Sequence, residues 1–198
     1  MPATRERFSE AMDRVFRWGH RPEWDKHCEQ VCDLHLLGLS EDAELDLQGL
    51  SEAVGQEALE PAIACALEDL ATLRFEPDDR NLVDDYLRRR GWTETPKARE
   101  YLLAVRDSVM SLYEVQEVEP GVSLTLKDLL RNVAPIVVSE RMGSMQLVRW
   151  DIIAGRVVRT SDATMLTGAV LHFQRQMAQG FSEGRQAVSQ APCACDRR

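Results

Sequence analysis

The chain changes its hydrophobic rhythm once, close to Met110, and that single switch limits what it can fold into. Before it, apolar residues recur at three- and four-residue spacing, as in helices that bury one face; after it, β-branched runs alternate with turn signals. With 198 residues there is room for one ordinary domain or two small ones. The expected class is α+β. A helical region spans 1–110, a small five-stranded antiparallel barrel-like domain spans 111–173, and a helix fragment with a flexible tail spans 174–198.

In the helical part, Phe8, Met12, Val15 and Phe16 share one face. Pro22 suits the start of a second helix carrying Trp24, Cys28, Val31, Cys32 and His35 along one side as far as Gly38. Ser40, followed by Glu41 and Asp42, reads as another helix start, because a hydroxyl accepts from free N–H groups and carboxylates favour the positive end of the dipole. Gly49 and Gly55 punctuate the chain, and Pro61 is expected in the first turn of a helix that buries Ile63, Leu67, Leu70 and Leu73. From Asp78 to Arg90 a further helix turns Leu82, Val83, Tyr86 and Leu87 inward and stops at Gly91. Thr95 caps, and Pro96 opens, the helix of Ala98, Tyr101, Leu102 and Val105.

Beyond Met110, SLYEVQEVEPG, VSLTLKDLL, APIVVSERMG, WDIIAGRVVRTSD and ATMLTGAVLHF read as five strands. Turns fall near Pro120-Gly121, Asn132, Gly143 and Ser161-Asp162. Closure into a barrel would protect the edges of so short a sheet.

The net charge of −9 has one origin: residues 37–76 hold one basic and ten acidic groups, while the rest nearly balances. An acidic zone beside a neutral remainder favours neither nucleic acid nor an anionic membrane, and points to a protein partner, a basic one suiting that zone. No apolar run approaches the roughly 20 residues that span a bilayer. The start MPATRERFSE has no apolar signal core, so the expected location is cytoplasmic. The five cysteines, Cys28, Cys32, Cys65, Cys193 and Cys195, form no secreted disulfide framework and are expected reduced.

His20, His27, Cys28, Cys32 and His35 lie within sixteen positions. Cys28, Cys32 and His35 fall at i, i+4 and i+7 of one helix and could meet Zn²⁺ if His20 joined them. The same positions are an amphipathic helix's apolar stripe and have no zinc-knuckle spacing, so packing is the preferred reading. Cys193-Ala194-Cys195 is read as an incidental pair in the tail. The stretch 78–108 has the rhythm of a helix-turn-helix with Arg88, Arg89 and Arg90 beside its turn, which makes nucleic-acid binding an alternative. Residues 78–107 hold seven basic and seven acidic groups, which is not a phosphate footprint.

In the β part Tyr113, Glu114, Ser139, Glu140, Arg141, Arg149, Trp150 and Asp151 look functional, with His172 nearby. They form no nucleophile and base pair, and Gly143, Gly155 and Gly168 are too isolated to cradle phosphate. Glu140-Arg141 reads as an exposed ion pair, Trp150 as an aromatic plug over a barrel end, and Asp151 as a turn carboxylate. No catalytic, cofactor-binding or metal-ligating residue is assigned, and no enzyme is expected.

The runs SLYEVQEVEPGVSLTLKDLL, VSERMGSMQLVRWDIIAGRVV and LTGAVLHF resemble a bacterial β module with an F/L-Y-E-V strand, a V-E-P-G turn, an L-x-D-L-L strand and an S-E-R-x-G-S loop. That module often stands beside the SEC-C zinc-binding motif. The resemblance implies a compact interaction or scaffold element of a bacterial protein and supplies no catalytic residues. Two departures mark this chain: Arg131-Asn132-Val133-Ala134-Pro135 replaces a shorter turn, and the SEC-C motif itself is absent, Cys193-Ala194-Cys195 offering at most its first pair. The expectation is therefore a non-enzymatic protein-interaction or scaffold module, with a nucleic-acid regulator or a zinc protein using the 20–35 cluster as alternatives.

Overall fold

The computed structural model describes residues 2–36, 49, 52 and 55–173. Ahead of the strands come the α-helices α1 (Pro2–Gly19), α2 (Pro22–Leu36), α3 (Gln56–Thr72), α4 (Leu82–Arg90) and α5 (Pro96–Arg106), with a 3-10 turn at Gly91–Thr93 between the last two. Then come β1 (Met110–Glu119), β2 (Ser123–Asp128), β3 (Ile136–Ser139), the single-turn α6 (Gly143–Gln146), β4 (Ile152–Arg159) and β5 (Thr164–Phe173). The fold is α+β. The expected readings at Gly38, Ser40, Glu41, Asp42, Cys193, Cys195 and 174–198 lie outside the described residues.

Local chemistry sets the helix boundaries. Asn81 caps α4, its side-chain Oδ1 accepting from the N–H groups of Val83 at 3.0 Å and Asp84 at 3.2 Å. The helix therefore begins at Leu82 and not at Asp78, because Phe75 and Arg80 first close a turn through paired backbone bonds. Thr95 caps α5 through Ala98 N–H, as expected. Pro61 lies inside α3 and not in its first turn. Of its expected face, Leu70 is buried and Ile63 and Leu67 are partly buried, but Leu73 follows the last helical residue and is exposed; the helix also buries Cys65, Ala66, Glu68 and Ala71. α3 packs on α2 and on β5, so two sides of it are covered.

The five strands are antiparallel in the order β3-β2-β1-β4-β5. The sheet is not closed. Its edges β3 and β5 come into contact but share no ladder, so the barrel is incomplete. The third strand stops at Ser139 because the chain then folds on itself, and the fourth begins only at Ile152.

Three apolar clusters form among the described residues, the smallest being Leu36 and Leu59 with Ala62 and Ile63 packed against them. One gathers α1 to α5, with Trp24, Leu82 and Leu102 fully buried, and it includes Val158 from β4. Another belongs to the sheet and gathers Tyr113, Val115, Leu124, Leu126, Val138 and Ile153. At about 25 cal/mol per Å² of buried apolar surface, each fully buried leucine stabilises by about 2 kcal/mol.

Candidate functional site

Two places concentrate polar chemistry that hydrophobic patterning does not demand. The first is a buried charge cluster between α2, α3, β4 and β5. Arg156 interrupts the apolar run of β4 and is only 3% exposed. Its Nη1 donates to the Ser108 carbonyl at 3.0 Å, its Nη2 donates to Asp69, and its Nε lies 3.6 Å from Glu68 Oε2 without a hydrogen bond among the described residues. Glu68 takes the Thr167 hydroxyl at 2.8 Å and the Ala169 N–H at 3.0 Å. His35 Nε2 lies 2.7 Å from the other Asp69 oxygen.

Burial pushes the Glu68 carboxyl up, against the pull of Thr167, Ala169 and Arg156. Burial, then the nearby guanidinium, pushes the His35 imidazole down. Cys65 is buried on the same helix, and desolvation pushes its thiol up to about 11, the opposite of an activated nucleophile. The cluster thus fastens helices to sheet and offers no nucleophile with a base.

Beside it lies a cavity of about 220 Å³. Phe8, Met12 and Phe16 of α1, Leu67 of α3, Tyr101 of α5 and Met165 of β5 supply apolar walls; Glu68 and Asp13 supply carboxylates.

The second place is the loop from Ser139 to Asp151. Glu140 is buried, and its Oε1 accepts from the N–H groups of Met142 at 3.1 Å and Gly143 at 3.0 Å. It is a loop lock and not the exposed partner of Arg141. The Ser144 hydroxyl donates to the Arg141 carbonyl at 3.0 Å and accepts the Gly121 N–H at 2.9 Å, joining this loop to the Pro120-Gly121 turn. Gly121 has φ +76°, which the turn requires. Asp128 similarly receives the Ser111 hydroxyl and the N–H groups of Leu130 and Arg131. Asp151 is the expected turn carboxylate, accepting from Val148 N–H at 2.9 Å.

With these side chains turned inward, others face out. Val122, Met142, Met145 and Val148 are each more than half exposed, and Trp150 is 36% exposed with φ +76°. Trp150 is therefore no buried plug. Its backbone N–H reaches the Val115 carbonyl at 2.7 Å, and the Arg149 guanidinium stands 4.4 Å above its ring.

His172 Nε2 lies 3.4 Å from Asp151 Oδ2, and the remaining candidates are dispersed. His20 is exposed, and His27 stacks on Phe75 at 4.2 Å. Cys28 and Cys32 are half-buried neighbours, while His35 turns to Asp69. Among the described residues no three His, Cys, Asp or Glu side chains are grouped to hold a metal ion. In the helix pair, Arg88 and Arg89 lie 2.8 and 3.2 Å from Asp85, which also receives Arg80 and the Trp18 N–H. Tyr113 belongs to the sheet core. Of the acidic stretch 37–76, Glu68 and Asp69 are committed to Arg156, and residues 41–48 lie outside the described residues.

Sequence reading missed Glu68, Asp69, Arg156 and Thr167. The available signal was a charge inside an apolar stripe: Glu68 follows Cys65 by three residues, and Arg156 splits Gly155 from Val157.

Among the described residues no helix is long and apolar enough to cross a membrane. Residues 66–186, more than half of the chain, match the model of a family of unknown function (DUF7986). Comparison with curated proteins and with solved structures gives no match.

Proposed function

Because the chain belongs to the family of unknown function DUF7986, its role has to be read from its own surface, and we propose that it is a non-enzymatic, cytoplasmic protein-interaction module that engages its partner through the 139–151 loop. One observation carries the reading: the loop's buried polar side chains all serve its shape, while Met142, Met145, Val148 and Trp150 point outward around Arg141 and Arg149. Methionines and an amphipathic tryptophan on a fixed loop suit an adaptable apolar contact. With Glu140 buried and Asp151 turned to Val148, the outward charges are cationic. The partner is thus a protein with an apolar patch and an acidic rim.

The test is photocrosslinking from position 145 of the full chain in cells of its source, with position 97 on α5 as the control. The reading expects a discrete adduct from position 145 alone, weakened by Arg149→Glu and lost with Met142→Asp. The same adducts from both positions would overturn it. So would a crosslink only to the chain's own residues 174–198, which follow Phe173 beside Ile152, and so would binding of the purified chain to anionic vesicles through this loop.

A further inference from the structure

The cavity beside Glu68 is separate from that loop and has its own chemistry. Its walls come from four elements, α1, α3, α5 and β5, and its volume is about 220 Å³. An apolar cavity of about 150 Å³ takes a benzene ring, so a ring with a short arm fits this one. The walls are rich in groups that favour such a body: Phe8 stacks on Tyr101 with centroids 4.4 Å apart, and Met12, Phe16, Leu67 and Met165 complete the apolar lining.

The charge around it does not balance. Glu68 and Asp69 share the one guanidinium of Arg156, and His35 is held toward its neutral form by burial and by that guanidinium. Two carboxyls share one cation, and burial pushes Glu68, the member of the cluster that faces the cavity, up toward its protonated form, so a cation arriving in the cavity would stabilise the Glu68 anion. The Thr167 hydroxyl and the Ala169 and Gly168 N–H groups all act on the Glu68 carboxyl, whose two oxygens carry about four acceptor sites and so keep room for one further donor. Asp13 adds a second, exposed carboxylate to the lining. In so apolar a setting an anion is best met by a cation that carries its own apolar cover.

We infer that this cavity is a binding site for a small primary amine on a compact aromatic or branched aliphatic body, its ammonium donating to Glu68 and its body lying between Phe8, Phe16, Leu67 and Met165. The Arg156 guanidinium keeps Glu68 in place while the ligand supplies the missing charge. Carboxylates are repelled by Glu68 and Asp13, and alcohols fill the same space without the charge-assisted bond.

The test is calorimetry of the full chain with 2-phenylethylamine, 2-phenylethanol and 3-phenylpropionate. The amine makes a charge-assisted hydrogen bond that the alcohol lacks, so it is expected to bind at least about tenfold more tightly than the alcohol, and the carboxylate not at all. Gly168 lines the cavity, and a Cβ added there meets no atom within 4 Å, so Gly168→Leu is expected to fold and to weaken the amine about tenfold or more. Ala64→Leu acts from another wall. Glu68→Gln is expected to abolish the preference for amine over alcohol; should it fail to fold, Asp13→Asn and the two filling variants still decide. Equal affinity for all three compounds, no saturable amine binding in the millimolar range, or undiminished binding by both filling variants would overturn the site.

Discussion

Arg14 and Glu94 meet through two parallel hydrogen bonds, Nε to Oε1 and Nη2 to Oε2, each 2.7 Å long. This two-pronged pair ties α1 to the turn between α4 and α5, and Tyr86 donates its hydroxyl to the same carboxylate. The arrangement explains why the Gly-Trp-Thr-Glu-Thr turn is a packing device: its acid is buried while Trp92 is left exposed. The hydrogen bonds from Arg14 hold the Glu94 carboxyl below its ordinary value of 4.5, against the effect of burial. Its folded pKa is depressed, so its stabilisation is present above pH 4.5 and is lost as pH falls through the folded value. Glu94→Gln should flatten that acid limb in urea titrations. Arg14→Met, which strands the buried carboxylate but leaves it partly relieved by water on the exposed arginine side, should cost about 2 kcal/mol at neutral pH.

Thiol reactivity should sort by burial. Cys65 is enclosed on α3 with its thiol pushed up to about 11, chiefly by desolvation. Cys28 and Cys32 are half-buried, so iodoacetamide can approach them. Timed alkylation at about pH 8 followed by peptide mass spectrometry should find Cys65 unmodified until denaturant is added, while Cys32 and, more slowly because burial pushes its thiol up, Cys28 are labelled in the native protein. Native labelling of Cys65 at a comparable rate would mean that α3 opens locally.

Periodicity carried most of the architecture. The faces of Phe8, Met12 and Val15, of Trp24 and Val31, and of Ala98, Tyr101, Leu102 and Val105 are buried as their spacing requires. The five strands and their turns follow from β-branched runs between turn residues. What periodicity could not report is pairing across distance. Nothing local tells that Glu68 will meet Thr167 and Ala169, nor that Arg156 will reach Asp69, because those bonds join α3 to strands about a hundred residues away. The same limit applies to Glu140: its neighbour Arg141 suggests an ion pair, whereas backbone N–H groups two and three residues on take the carboxylate instead. Closure of the sheet was also beyond sequence, since it depends on whether β3 and β5 align.

Gly143 is required by that same carboxylate. A Cβ built there would stand 2.9 Å from Glu140 Cγ, inside any real contact, and Glu140 is buried and bonded in place. Gly143→Ala should therefore destabilise by about 1–2 kcal/mol despite its exposed surroundings, through displacement of Glu140 and the loop it locks. The double variant with Glu140→Ala should recover part of that loss, because the crowded atoms are gone; the measurement is a double-mutant cycle from urea midpoints. Simple additivity would show that the crowding is not the cause.

Trp150 separates stability from recognition. At φ +76° it occupies a left-handed conformation that costs a residue with a Cβ about 1 kcal/mol, and its backbone N–H nevertheless bonds the Val115 carbonyl at 2.7 Å. A residue held in that conformation with an exposed ring is poorly explained by packing alone. Trp150→Gly relieves the backbone and keeps the bond, so the melting temperature should hold or rise slightly, offset in part by the lost cation–π contact with Arg149. The same variant removes the largest outward apolar group of the loop. Capture of a partner by the photocrosslinker at position 145 should then fall about tenfold or more, because an anchoring tryptophan typically carries 2 kcal/mol or more of a binding energy. A variant that melts like the parent and still captures undiminished adduct would remove Trp150 from the contact; one that melts several degrees lower would return it to a structural role.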